Sequence, residues 1–207
     1  RKVEKMRLLC LRQQLKKAPG QPNRSLSDFI APVGIPDYIG SFAVSAGFNI
    51  EKMDTFFLTH LDDYQSILLK ALADRLAEAL AEKLHEMVRM DTWAYAKNES
   101  LKMNDLIKES YQGIRPAPGY PACPDHTEKE KLWALLEVEK RIGITLTESF
   151  AMYPAASVSG WYFSHPASTY FGVGQISKDQ VVEYANKKNM PLDWVEKWLS
   201  PNLNYTL

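Results

Sequence analysis

Apolar residues recur at three- and four-residue steps through one long stretch: Ile67, Leu68, Ala71, Leu72, Leu76, Ala79, Leu80, Leu84, Met87 and Val88. This period predicts a single helix over about 61–93 with one apolar stripe as its core face. At 100° per residue, Asp74, Glu78, Glu82 and His85 point within about 60° of the direction opposite Leu76, and such a row ordinarily reads as a solvated face. Ala73, Ala77 and Ala81 lie on a flank small enough to let another backbone approach. A shorter helical period precedes it over Glu51–Thr59.

Elsewhere the pattern alternates. Met6–Leu11, after the basic opening Arg1–Lys5, reads as a strand, and so do Leu26–Ile30 and Tyr38–Ser45, giving three antiparallel strands by Ala46. Ile144–Phe150, Ser157–Phe163 and Thr169–Ile176, rich in Thr, Val, Tyr, Phe and Trp, add three more. Short helices are expected at Asn104–Ser110, with Asn104 as cap, and from Thr127 to about Ile142, with Thr127 as cap, Glu130 at capping-box spacing and Gly143 as the stop. Two more follow at Lys178–Lys188, capped by Ser177, and at Pro191–Leu199, where Trp194 and Trp198 share a face. These elements define an α+β fold: a twisted antiparallel sheet with a long central helix and flanking helices, in one domain over 1–207.

One stretch, Tyr111–Lys129, fits neither helix nor strand. Four of the twelve prolines fall between Pro116 and Pro124, each fixing its own φ and pushing the residue before it toward extended geometry. The result is a stiff ribbon that offers the main-chain groups of Ile114, Arg115, Ala117 and Gly119 to a neighbouring strand or a ligand. Gly119 permits close approach of another molecule to the backbone. Arg115 supplies a five-donor fork for a carboxylate or phosphate, and Tyr120 an aromatic face for a cation or flat base. The same residues also suit a crossing loop in which the arginine pairs with a surface acid and the tyrosine fills the core.

Composition narrows the chemistry. Lys+Arg and Asp+Glu are both 25, so no net field draws a nucleic acid or an anionic membrane. Cys10 and Cys123 have neither metal nor redox spacing and suit free thiols in a reducing, cytoplasmic setting. No apolar run approaches the roughly 18 residues of a membrane span. Neither a Ser-His-Asp set, a zinc quartet nor a nucleophile elbow is visible, and Gly172-x-Gly174 leads into a strand instead of a phosphate-binding helix.

The ribbon's Arg115-x-x-x-Gly119-Tyr120, within Ile-Arg-Pro-Ala-Pro-Gly-Tyr-Pro and followed by Pro-Asp-His-Thr-Glu-Lys, resembles the S-adenosylmethionine (AdoMet) signature of the activation domain of cobalamin-dependent methionine synthase. The likeness extends through Lys70–His85, Leu146–His165 and Val195–Asn202 and so covers nearly all of the chain. The resemblance implies an AdoMet site formed by Glu78, Arg115, Ala117, Gly119, Tyr120, Tyr170 and Phe171. It also implies that Asp74 and His126 face the cobalamin-binding partner domain. By residue chemistry alone, His126 fits equally a cap or turn residue, and Phe171 a core aromatic.

The implied activity is presentation of the AdoMet methyl group for reductive methylation of cob(II)alamin. A partner domain carries the cobalamin, and a flavodoxin-like or flavoprotein donor supplies the electron. No catalytic group and no metal ligand is expected within the chain, because a sulfonium methyl needs no general base and positioning is the task. An alternative is a docking module that caps a cobalamin domain and its electron donor with weak or vestigial AdoMet binding. In the family the domain has a further N-terminal portion, including an acid at the ligand, which has no counterpart here, so the chain reads as a fragment.

Overall fold

The long helix forms where the period places it, yet it faces the other way. A computed structural model describes residues 6–207; the Arg1–Lys5 opening lies outside the described residues. By backbone contact the chain divides into one unit of Arg1–Gly40, Gln112–Leu132 and Trp161–Leu207 and another of Ser41–Tyr111 and Trp133–Gly160.

In the second unit, helix α1 (Ile50–Thr59) is followed by α2 (Asp63–Met87). Asp62 caps α2, its side chain accepting from the Gln65 amide at 3.1 Å. The expected core stripe is corrected: Leu68, Leu72, Leu76 and Leu80 are 46%, 56%, 55% and 44% exposed. Ser66, Ala73, Ala77, Ala81 and His85 are the buried positions of α2 instead. Alanines allow the tightest backbone approach, so the small flank became the interior face and the larger residues were left outside. His85, expected at the surface, is fully buried, with Nε2 3.2 Å from the Tyr95 hydroxyl.

A π-helical turn, Val88–Thr92, closes α2, with the Trp93 amide donating to the Val88 carbonyl at 3.1 Å. It delivers Arg89 fully buried onto Glu99, in three contacts of 2.7, 2.9 and 3.0 Å, and over the Tyr111 ring at 4.3 Å. Glu82, expected as surface, is half-buried, 4.0 Å from that guanidinium. Helix α3 (Met103–Ile107) starts one residue before the expected span and ends three residues short of it. Its start is fixed by the Lys102 amide donating to Asp105 at 2.9 Å, not by Asn104.

Strands β1 (Gly40–Ser45) and β4 (Ser157–Tyr162) pair, while β2 (Thr145–Leu146) and β3 (Met152–Tyr153) form an antiparallel ladder with Thr145 opposite Tyr153. The α+β class stands, with less strand than the alternation suggested. The helix expected from Thr127 divides into a 3-10 turn (His126–Glu128), α4 (Lys129–Leu136) and α5 (Val138–Ile142). Glu137 at φ 51° breaks it, and Gly143 in the left-handed region ends it.

Three expected strands of the first unit do not form. Residues 6–11 bond to side chains in place of a ladder: the Leu9 amide reaches Glu128 at 3.5 Å, and that of Arg12, one residue on, reaches Gln180 at 2.8 Å. Leu26–Phe29 is a 3-10 turn, set by the Ser25 amide donating to Asp28 at 2.8 Å. Around Thr169–Ile176, Gly174 at φ 72° interrupts the extended run. The Val173 and Ile176 amides there donate to the carbonyls of Pro121 and Asn202 at 2.8 and 2.7 Å. Helices α6 (Lys178–Lys188) and α7 (Leu192–Leu199) appear as expected and bury Val181, Tyr184, Ala185, Val195 and Leu199 with Leu11, Val173, Ile176 and Leu203. Trp194 and Trp198 meet edge to face at 6.1 Å.

Candidate functional site: a proline-rich strap and its anchors

The proline ribbon lies in the first unit, held mainly by its neighbours. Ile114 exchanges two 3.0 Å bonds with Phe163, and the Trp161 amide donates to the Pro116 carbonyl at 2.9 Å. These bonds answer where the main-chain groups go: mostly to the chain's own strand β4 and the residue after it. The Arg115 amide donates to the Tyr170 hydroxyl at 3.0 Å, which draws two expected site residues together across 55 positions of sequence.

Past Pro118 the strap turns tightly, with the Gly119 amide on the Cys123 carbonyl at 2.7 Å and the Cys123 amide on the Tyr120 carbonyl at 2.9 Å. Gly119 has φ +94°, and a Cβ there would stand 2.6 Å from the His126 Nδ1. The glycine is therefore required by its own backbone and by the imidazole packed on it, beyond any need for a ligand to approach. Arg115, Ala117 and Tyr170 are half-buried, and Tyr120 projects into solvent.

Phe171 packs on the α6–α7 core and meets Phe29 edge to face at 6.3 Å. Asp74 and Glu78 are exposed on α2, in the other unit. The geometry thus gathers Arg115, Ala117, Gly119, Tyr120, His126 and Tyr170 along one strap of the first unit.

Below the strap is a buried ionic cluster that sequence reading missed. Asp125 accepts from the Thr127 amide and hydroxyl at 2.9 and 2.7 Å, from the Tyr184 hydroxyl at 2.8 Å and from Lys188 at 2.7 Å. Glu128 accepts from Lys188 at 2.6 Å and Lys131 at 2.7 Å. Burial alone raises the Asp125 carboxyl, but Lys188 and the Thr127 and Tyr184 donors outweigh it and hold it below the ordinary carboxylate range. The cap of this turn is Asp125, whose side chain accepts from the Thr127 amide, two residues before the cap that the sequence suggests at Thr127.

This cluster fixes the turn that carries His126. Burial first, then Lys129, lower the imidazole below its ordinary value against the pull of Asp125, so it is neutral at pH 7. Its Nδ1 lies 3.2 Å from the Lys129 ammonium, which makes Nδ1 the acceptor and Nε2 the protonated nitrogen. A cavity of about 450 Å³ opens nearby, its walls including Leu9, Leu26, Trp161, Phe163 and both cysteines. Burial, reinforced by Glu128, raises the Cys10 thiol to about 11. Among the described residues no group of three or more His, Cys, Asp or Glu is placed to hold a metal ion, and no helix is long and apolar enough to cross a membrane.

An α+β fold with a stiff, arginine- and tyrosine-bearing strap is the class that fold and site define. More particularly, the chain belongs to the family described as "Vitamin B12 dependent methionine synthase, activation domain", whose model matches residues 1–189. Among solved structures it is similar to the MetH reactivation domain bound to AdoHcy, at 59% identity and a TM-score of 0.92, over 95% of this chain. The chain spans 61% of that related chain.

Proposed function

We propose that this chain binds AdoMet and presents its methyl group for the reductive methylation that returns cob(II)alamin to methylcobalamin in methionine synthase. The observation that carries the reading is its likeness to a reactivation domain that holds AdoHcy, the demethylated product, together with a strap that places Arg115 beside Tyr170.

Cobalamin carried by the partner domain, once reduced by one electron from a flavodoxin-like or flavoprotein donor, would supply the nucleophile that takes the methyl group, and the electron pair of the broken S–C bond would pass to sulfur, leaving AdoHcy. The chain's own residues position and shield. Arg115 forks onto the amino-acid carboxylate of the ligand, Ala117 and Gly119 offer main-chain groups, and Tyr120 and Tyr170 wall the site with Phe171 behind them. Asp74 and Glu78 belong to α2 in the other unit, and His126 meets the cobalamin-carrying partner domain. A neutral His126 adds no charge to repel the sulfonium.

Calorimetric titration of AdoHcy into the chain and into Arg115→Ala tests this reading. Loss of a charge-assisted fork should weaken binding by about tenfold or more, near 1.4 kcal/mol. Equal and feeble heats from both proteins would favour the docking module with vestigial ligand binding.

A further inference from the structure

The α1–α2 hairpin carries an exposed apolar surface among the described residues. Leu68, Leu72, Leu76 and Leu80 follow one another at four-residue steps and form a continuous ridge of exposed side chains. On α1, Met53 and Phe56 are about half exposed, and not one of its ten residues is buried. A helix that short is marginal without packing. Polar links join it to α2: Asp54 accepts from Ser66 and pairs with Lys70 at 2.8 Å. Single exposed leucines are ordinary on a protein surface, but a contiguous ridge beside a helix without buried residues marks an interface.

We infer that this ridge is an internal interface of the complete reactivation domain, covered by the part of the related domain that lies outside the match to this chain. The inference rests on the family reading. The similar reactivation domain shares the fold closely, yet this chain accounts for only 61% of it, leaving a large body of additional protein in the same domain. The ridge positions are all leucine, so the covering surface is apolar and uncharged at its centre. Arg75 and Lys83, both exposed, adjoin the ridge on α2, which sets charge at the edge of an apolar middle.

The test uses hydroxyl-radical footprinting of the chain alone and with the unmatched segment of the related reactivation domain added as the probe. Expected is a one-to-one complex in which oxidation of Met53, Phe56, Leu72 and Leu76 falls about fivefold or more, as for residues entering a fully buried interface core. Leu72→Lys with Leu76→Lys should abolish the complex while leaving the thermal midpoint of the chain alone unchanged, because both residues are already in water. Should the separate segment be insoluble, joining it to the chain in one polypeptide gives the same comparison of footprints.

Three results overturn the inference: a complex that leaves the ridge footprint unchanged, no complex and no protection in the joined polypeptide, or protection that rises with concentration of the chain alone, which assigns the ridge to a second copy. AdoHcy titration of the same samples separates the two readings. Absent ligand binding with a protected ridge counts against the proposed function and leaves the interface standing.

Discussion

Helices α6 and α7 and helix α2 carry apolar residues at the same spacing and meet opposite fates. In the first pair the period is honoured by cover: Val181, Ala185, Val195 and Leu199 lie in a closed core with Ile176 and Leu203. In α2 the period is honoured only by position, and alanines face inward while the leucine ridge stands in solvent. Periodicity locates a helix and its stripe; what lies against the stripe depends on protein elsewhere, and small residues compete for the interior wherever two backbones must come close.

The strongest way to sharpen this contrast is to attack the inward face of the α2 region. Arg89→Met leaves Glu99 buried without its guanidinium and should cost about 3–5 kcal/mol in urea unfolding. A loss below 1 kcal/mol would mean that the two side chains are solvated in solution. Next in size, Leu199→Ala in the closed core should cost about 2–5 kcal/mol, whereas Leu76→Ala on the ridge should stay within about 0.5 kcal/mol. Equal costs would erase the distinction between covered and uncovered stripes.

Acid provides a third probe, specific to the cluster under the strap. The folded state holds Asp125 below its ordinary value of 3.8, so its stabilisation is present above that pH and is lost as pH falls through the lower folded value. Urea midpoints from pH 5 to 2 should therefore drop, and Asp125→Asn should flatten that limb. The smallest effect is chemical: with Cys10 raised from 9.0 to about 11, its alkylation at pH 7 should run about a hundredfold slower than for an unperturbed thiol.

Much of this was legible in the sequence, for physical reasons that differ by element. Lys178–Lys188 was read to the residue, because a cap and an amphipathic period agree there and the core that covers it belongs to this chain. The stiffness of the strap followed from proline geometry, and Arg115 and Tyr170 emerged as neighbours. The missing strands were over-read from residue type, since Leu9 and Arg12 satisfy their amides on Glu128 and Gln180, partners more than a hundred positions away. Gly119 was assigned to ligand approach, while the structure shows His126 packed against it. Asp125, Glu128, Tyr184 and Lys188 were not singled out, because an ionic cluster assembled from a turn and a distant helix leaves no periodic trace.

Hydrogen exchange of the chain with and without AdoHcy examines the strap most directly. The account predicts slowed exchange confined within the first unit to peptides spanning 114–126 and 165–175, and abolished by Arg115→Ala. Binding that slows exchange at Leu8–Cys10 and Ile30–Ile39 around the apolar cavity instead, with the strap unchanged, would contradict it.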